Sequence, residues 1–225
     1  MSGSARQAKG VTAVLVDYGG VLTTSLHDAF EELSAGLGLD ATAVGEAFAR
    51  DTSLQQALTA HEKGELGDAG FEEALGRALS GVAGRAIAPE GLLRRIGETL
   101  RLEESMVALV HRLRREEVPV ALVSNSLGED CYRLIDRDAL FDVSVISAEV
   151  GVRKPSRRIY QIACERLGVD PAQCVLVDDL QQNLDGAARL GITGVLHRRP
   201  AETVAALESL LELSPGAGTP DGDRG

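Results

Sequence analysis

The chain has 225 residues, of which 44% are hydrophobic, 25% charged and 3% aromatic, with a formal charge of -11. That composition suits one or two soluble globular domains with a real apolar core, and no run approaches the roughly 20 apolar residues of a membrane helix. A negative chain without tryptophan is poorly built to grip a nucleic-acid backbone or stack on bases, so neither a nucleic acid nor a membrane is expected as a partner. The N-terminal MSGSARQAKG lacks the apolar core of a secretory signal. Cys131, Cys164 and Cys174 are odd in number and lack metal-type spacing, which reads as free thiols in a reducing cytoplasm.

Residues 1–10 and 214–225 are small, polar and rich in Gly, Pro or Asp, and read as disordered tails. Between them the first strand is predicted over 11–16 (VTAVLV). Residues 25–103 then show no strand pattern, only helical candidates near 27–36, 41–50, 68–79 and 90–100. This is too long for an ordinary βα connection, so a helical subdomain inserted after the first strand is expected. The remaining core would be 11–24 with 104–213.

A helix follows over 105–117, where Met106, Leu109, Val110 and Leu113 recur at three and four to make one buried stripe. Strands are predicted at 118–123 (VPVALV), 143–146 (VSVI) and 174–177 (CVLV), with a weaker one at 194–197 (GVLH). Helices over 156–168, 182–190 and 201–213 separate and follow them. Ser156 is a plausible N-cap of the first of these and Gly168 suits its C-terminal stop. The strands are near-continuous in apolar residues rather than alternating, as in a parallel sheet buried on both faces. Strand–helix alternation predicts a doubly wound, Rossmann-like α/β core with right-handed crossovers, whose ligands bind beyond the carboxyl ends of the strands.

Four groups fall at those ends. The first strand runs into Asp17-Tyr18-Gly19-Gly20, a carboxylate followed by two glycines that leave room for a ligand beside the backbone, although Asp and Gly also favour turns for local reasons. The second ends in Ser124-Asn125-Ser126, whose hydroxyl and amides suit an anionic oxygen or, equally, a helix cap. Lys154 is one of only three lysines beside twenty arginines, which hints at a need for a compact ammonium; Pro155 biases it toward an extended backbone. The fourth ends in Asp178-Asp179, followed by Asn183 and Asp185. Adjacent carboxylates repel unless a proton or cation intervenes, and oxygen-only ligation suits Mg²⁺, although acidic residues also decorate helix N-termini. Together these are the groups needed to attack a phosphoryl centre and neutralise its oxygens.

In this order the motifs VLVDYGGVL, VSNS, RKP and LVDD resemble those of the haloacid dehalogenase-like hydrolase superfamily, and 25–103 resembles its small helical cap. The resemblance implies that Asp17 is a nucleophile forming an aspartyl-phosphate. It makes Ser124 and Asn125 phosphoryl-oxygen donors and Lys154 the cation that restrains the nucleophile. Gly20, Ser124, Asn125 and Lys154 would line the substrate. The Mg²⁺ site would be Asp17, the carbonyl of Gly19, Asp178 and Asp179, and the substrate a small phosphorylated metabolite.

The chain departs from the family's phosphatases at Gly19, where a second Asp usually acts as general acid and base. Good leaving groups, such as those of sugar 1-phosphates or acyl phosphates, would suffer least from this loss. His27 and Asp28 are possible stand-ins, and Arg50, His61, Arg77, Arg94 and Arg95 are possible substrate contacts, although surface roles are open for all of them. Two other readings are a metal-independent 2-haloacid dehalogenase, which has no use for Asp178-Asp179, and a weakly active or non-catalytic binder of phosphorylated ligands. Oligomeric state is not readable from the sequence.

Overall fold

The computed structural model describes residues 10–214, so apart from Gly10 and Ser214 the expected disordered tails lie outside the described residues. After β1 (Ala13–Val16) come five helices: α1 (Leu26–Gly36), α2 (Ala43–Arg50), α3 (Thr52–Glu62), α4 (Asp68–Ala83) and α5 (Leu92–Thr99). Then follow α6 (Glu104–Arg115), β2 (Val120–Ser124), α7 (Arg137–Leu140), β3 (Val143–Ile146), α8 (Ser147–Val150) and α9 (Arg157–Leu167). β4 (Cys174–Asp178), α10 (Gln181–Ala188), β5 (Thr193–Leu196) and α11 (Pro200–Leu210) complete the chain.

The strands pair in parallel in the order β3-β2-β1-β4-β5, the doubly wound Rossmann-like arrangement expected. Because successive side chains point to opposite faces, each central strand feeds two cores. Val14, Val16, Val120, Leu122, Val175 and Val177 pack with Met106, Leu109, Val110 and Leu113 of α6 and Leu207 of α11. Ala13, Leu15, Ala121, Val123 and Leu176 pack with Ile159, Tyr160 and Ala163 of α9 and Leu184 of α10. The stripe read from the sequence of α6 is therefore its buried face. β5, the weakest of the predicted strands, is a half-exposed edge. α9 starts and stops where predicted: the Ser156 side chain accepts from the Arg158 N–H, and Gly168 is left-handed at φ 71°.

The five helices after β1 enclose an apolar core of their own, built from Leu33, Val44, Leu54, Phe71, Leu75, Leu79, Leu92 and Ile96. Where the chain leaves and re-enters the sheet layer the two connections run side by side, Thr24 N–H donating to Arg101 O (2.9 Å) and Glu103 N–H to Leu22 O (2.8 Å). Four of these helices match the sequence expectation, but α3 was not foreseen. Its stretch TSLQQALTAHE buries only Leu54, His61 and Glu62, too few apolar positions to show a 3.6-residue period. Its start is instead set by a cap, the Asp51 carboxylate accepting from the N–H groups of Ser53 (2.8 Å) and Leu54 (3.1 Å).

No helix among the described residues is long and apolar enough to cross a membrane. Cys131, Cys164 and Cys174 are all free thiols.

Candidate functional site

The strand order reverses at β1, whose neighbours β2 and β4 lie on either side of it. Crossovers leaving in opposite directions open a crevice beyond the carboxyl ends at such a point. Asp17 follows β1, Ser124 ends β2 and Asp178 ends β4, so three of the four sequence signals meet there by topology alone. The fourth, Lys154, comes from the loop between α8 and α9.

Lys154 is 1% exposed and joins two of the strand tips, with Nζ 2.7 Å from Asp17 Oδ1 and 2.8 Å from Asp178 Oδ2. Asp178 is engaged on its other oxygen as well, where Oδ1 accepts from Leu180 N–H (2.9 Å) and Asn183 Nδ2 (2.8 Å). Asp17 differs. Lys154 Nζ and the Tyr18 N–H (2.7 Å) both bind Oδ1, which leaves Oδ2 without a donor among the described residues. One oxygen from each of Asp17, Asp178 and Asp179 falls within 4.8 Å of the others.

Three carboxylates and one ammonium leave an excess of negative charge. Burial pushes the Asp17 carboxyl up, to about 8, against the pull of Lys154 and with Asp178 and Asp179 adding to the rise. Asp179 is raised in the same direction by burial and by Asp178. For Lys154 burial works against the charge, but Asp17 and Asp178 overcome it and raise its pKa. Keeping Asp17 ionised near neutral pH therefore calls for positive charge beyond Lys154. An all-oxygen donor set with this deficit fits a hard divalent cation.

The β2 tip is held just as firmly. Ser124 Oγ accepts from Tyr132 OH (2.9 Å) and lies against its own chain, donating to Asn125 O (3.2 Å). The Asn125 side chain brackets Lys154, its Oδ1 accepting the Lys154 N–H (2.8 Å) and its Nδ2 donating to Lys154 O (3.3 Å). These contacts tie the second and third motifs into one rigid unit.

Asp17, Gly19, Ser124, Asn125, Lys154 and Asp179 share one cavity of about 340 Å³. The helical insert contributes Leu26, Phe30, Leu58 and Glu62 to its wall, and Arg153 completes it from the core side. Gly20, expected beside the substrate, lies against the acidic cluster. It sits at φ 74°, and a Cβ there would come within 2.4 Å of Asp179 Oδ2. Gly20→Ala is expected to lower stability by about 1–2 kcal/mol because an L-residue is strained at this φ. Gly45→Ala, in the interior of α2 with nothing within 4 Å, should raise it by about 0.5–1 kcal/mol. Urea unfolding midpoints check both signs.

Most of the other candidates fall outside this site. His27 does line the cavity, as an exposed side chain paired with Glu31 (3.3 Å), whereas Asp28 is exposed on α1 outside it. Arg50 pairs with Glu46, Arg94 with Glu98, and Arg95 bonds the Gly36 carbonyl; these three and the exposed Arg77 lie away from the cavity. His61 is neither a surface charge nor a cavity group. It is buried and stacked on Phe71 with ring centres 4.8 Å apart, because at the C-terminal end of α3 its ring turns into the helical core. Conversely, Glu62, Arg153 and Tyr132 went unread. Arg153 stood inside the quoted RKP motif. Glu62 carried no signal once α3 itself was missed, and Tyr132 reaches Ser124 only through the folded loop after β2.

The haloacid dehalogenase-like hydrolase family profile matches residues 11–191. Acyl-CoA dehydrogenase family member 10 of Mus musculus is 31% identical over 165 residues, covering 71% of this chain and 15% of that protein. Validoxylamine A 7'-phosphate phosphatase of Streptomyces hygroscopicus subsp. limoneus is 27% identical over 114 residues, covering 48% of this chain and 54% of that one. The match thus spans about half or less of these relatives. Among solved structures, a HAD family enzyme of Bacteroides thetaiotaomicron superposes with a TM-score of 0.65 at 21% identity, over 84% of this chain and 95% of that one, a likeness of fold. With the profile spanning β1 to β4 and the helices between them, the chain belongs to the haloacid dehalogenase-like hydrolases.

Proposed function

We propose that the protein is a Mg²⁺-dependent phosphatase of a small phosphorylated metabolite, working through an aspartyl-phosphate on Asp17. The observation that carries this reading is the meeting of Asp17, Lys154 and Asp179 with Ser124 and Asn125 in one cavity, with Asp178 buried against Lys154 beside them. Residues 25–103 then act as a cap over a core of 11–24 and 104–213, with the substrate enclosed between them. The phosphatase named among the relatives supports the same class of chemistry.

Asp17 attacks phosphorus with Oδ2, the oxygen left free by Lys154 and Tyr18, while Lys154 orients the carboxylate and offsets its charge. The Ser124 hydroxyl and the Asn125 N–H receive the phosphoryl oxygens. Asp17, Asp179, Asp178 and the Gly19 carbonyl would hold Mg²⁺, which when bound screens the charge on the transferring group. Asp178 also acts through Lys154, whose ammonium it shares with Asp17. Dividing one displacement into two, with charge neutralised throughout, accounts for most of the rate enhancement.

The family also contains dehalogenases, which use the same nucleophile on carbon. Asp179 would then have no work to do, and the excess negative charge would go unanswered, so phosphate is the better reading. Phosphate release from a panel of phosphorylated metabolites is expected with Mg²⁺ and lost on adding EDTA. Halide release from a 2-haloacid in EDTA would overturn the assignment. Silence across the panel, with no aspartyl-phosphate mimic formed by beryllium fluoride, would make the protein a non-catalytic binder.

A further inference from the structure

We propose that Glu62, entering the cavity from the last residue of α3, protonates the departing alcohol and then takes a proton from water, replacing the aspartate that position 19 lacks. This rests on the phosphatase reading above. A Cβ at Gly19 would make only an ordinary contact with Leu26, 3.4 Å from its Cγ, so position 19 is bounded by an apolar side chain and offers no titratable group of its own. Among the described residues of the helical insert lining the cavity, Glu62 is the only carboxyl; the others are Ser25, Leu26, His27, Phe30, Leu58 and Leu100, and of these His27, the other proton carrier, is exposed and paired with Glu31. Asp17 enters the cavity from the sheet and Glu62 from the helical insert, and a group leaving in line with attack departs on the side away from the nucleophile.

The carboxyl faces a cation and the helix end that carries it is anchored. Its side chain is only 11% exposed, and Oε2 lies 2.6 Å from Arg153 Nε. The Glu62 carbonyl accepts from Ser147 Oγ, which in turn accepts the Ser126 N–H (2.8 Å), so α3 is anchored to the loop that carries Ser124 and Asn125. Arg153 and Lys154 are the charged groups that face it. On its own helix His61 turns to Phe71, and beyond the helix end Lys63 pairs with Glu65. Burial pushes the carboxyl up to about 7, opposed by Arg153, Lys154 and the Asn125 amide. A group poised there exchanges protons in either direction at neutral pH.

The steps balance. Asp17 forms the O–P bond as the ester P–O bond breaks, and the leaving oxygen takes the Glu62 proton and departs as the alcohol. Water then attacks phosphorus, giving its proton to the Glu62 carboxylate. The Asp17 O–P bond breaks, and inorganic phosphate leaves with both side chains restored.

The test uses the full chain with Mg²⁺ and two esters, 2,4-dinitrophenyl phosphate, whose leaving group needs no proton, and phenyl phosphate, whose leaving group does. Glu62→Gln should slow the single-turnover burst of phenol about 10²-fold or more relative to that of 2,4-dinitrophenol, and should slow steady-state phosphate release from both esters, because the same carboxylate takes the proton of the attacking water. The wild-type rate with phenyl phosphate should fall as pH rises through about 7, the limb following Glu62 deprotonation. That limb should vanish in Glu62→Gln and move to higher pH in Arg153→Gln, which removes the neighbouring cation. Equal slowing of the two alcohol bursts, or of neither, in Glu62→Gln would overturn the proposal while leaving the phosphatase reading intact. A wild type that releases phosphate from neither ester would bring down that reading, and this one with it.

Discussion

Asp17→Asn should fold normally and release phosphate about 10⁴-fold or more slowly than the wild type, because an amide oxygen cannot replace the attacking carboxylate. The change keeps the size of the side chain and an oxygen for the Tyr18 N–H. It also removes a buried charge that Asp178 and Asp179 repel, while Lys154 retains Asp178 as its partner. Thermal unfolding should therefore stay close to wild type, within about 1 kcal/mol. Phosphate release and a melting curve on the same preparation make the check. Near-normal turnover would place the nucleophile elsewhere, and a collapsed melting curve would make Asp17 a structural residue first.

Lys154→Met should have the largest effect on stability. The ammonium is 1% exposed and joins Asp17 to Asp178, so its loss strands two buried carboxylates. Breaking such a pair from one side costs about 3–5 kcal/mol. The sign with pH is fixed by the carboxylates. A carboxyl whose folded pKa lies above its unfolded value opposes folding once the pH exceeds the unfolded value, and that opposition is relieved by protonation. Asp17 is already raised to about 8 by burial, and without Lys154 it rises further. The deficit of Lys154→Met should thus be full at neutral pH and shrink as the pH falls toward the ordinary carboxylate range. Lys63→Met, which loses a partly exposed pairing with Glu65, should cost no more than about 1 kcal/mol. Urea unfolding at pH 5 and pH 8 separates the two. A deficit that does not shrink in acid would mean that lost packing rather than stranded charge explains the loss.

The core of the fold was legible because its signal is local. The runs at 143–146 and 174–177 read as strands, and β3 begins and ends where its pattern does, although at the sheet edge only its second half is buried. Ser156 and Gly168 mark the ends of α9 because capping depends on side chains one or two residues away. Three of the four motifs were legible for a related reason, since a polar residue directly after an apolar strand must emerge at the sheet edge; Lys154, expected at a strand end, instead comes from the loop after α8. α3 was not legible. Its hold on the protein comes from the Asp51 cap, Leu54, and the contacts of its last residue with the loops after β2 and α8. The same contacts explain why Glu62 escaped notice while the arginines of the insert, conspicuous in the sequence, lie outside the cavity.

By itself the sequence determined the parallel sheet, the helical excursion after β1 and the identity of the strand-tip residues, because apolar periodicity and capping act within a few residues. Only the tertiary structure decided which charges meet. Lys154 lies far along the chain from Asp17, and its spacing from two carboxylates depends on how β1 and β4 pair and where the loop before α9 returns. Electrostatic and hydrogen-bonding partners are set by through-space distances of a few ångströms, a quantity that residue order does not carry until the chain has packed.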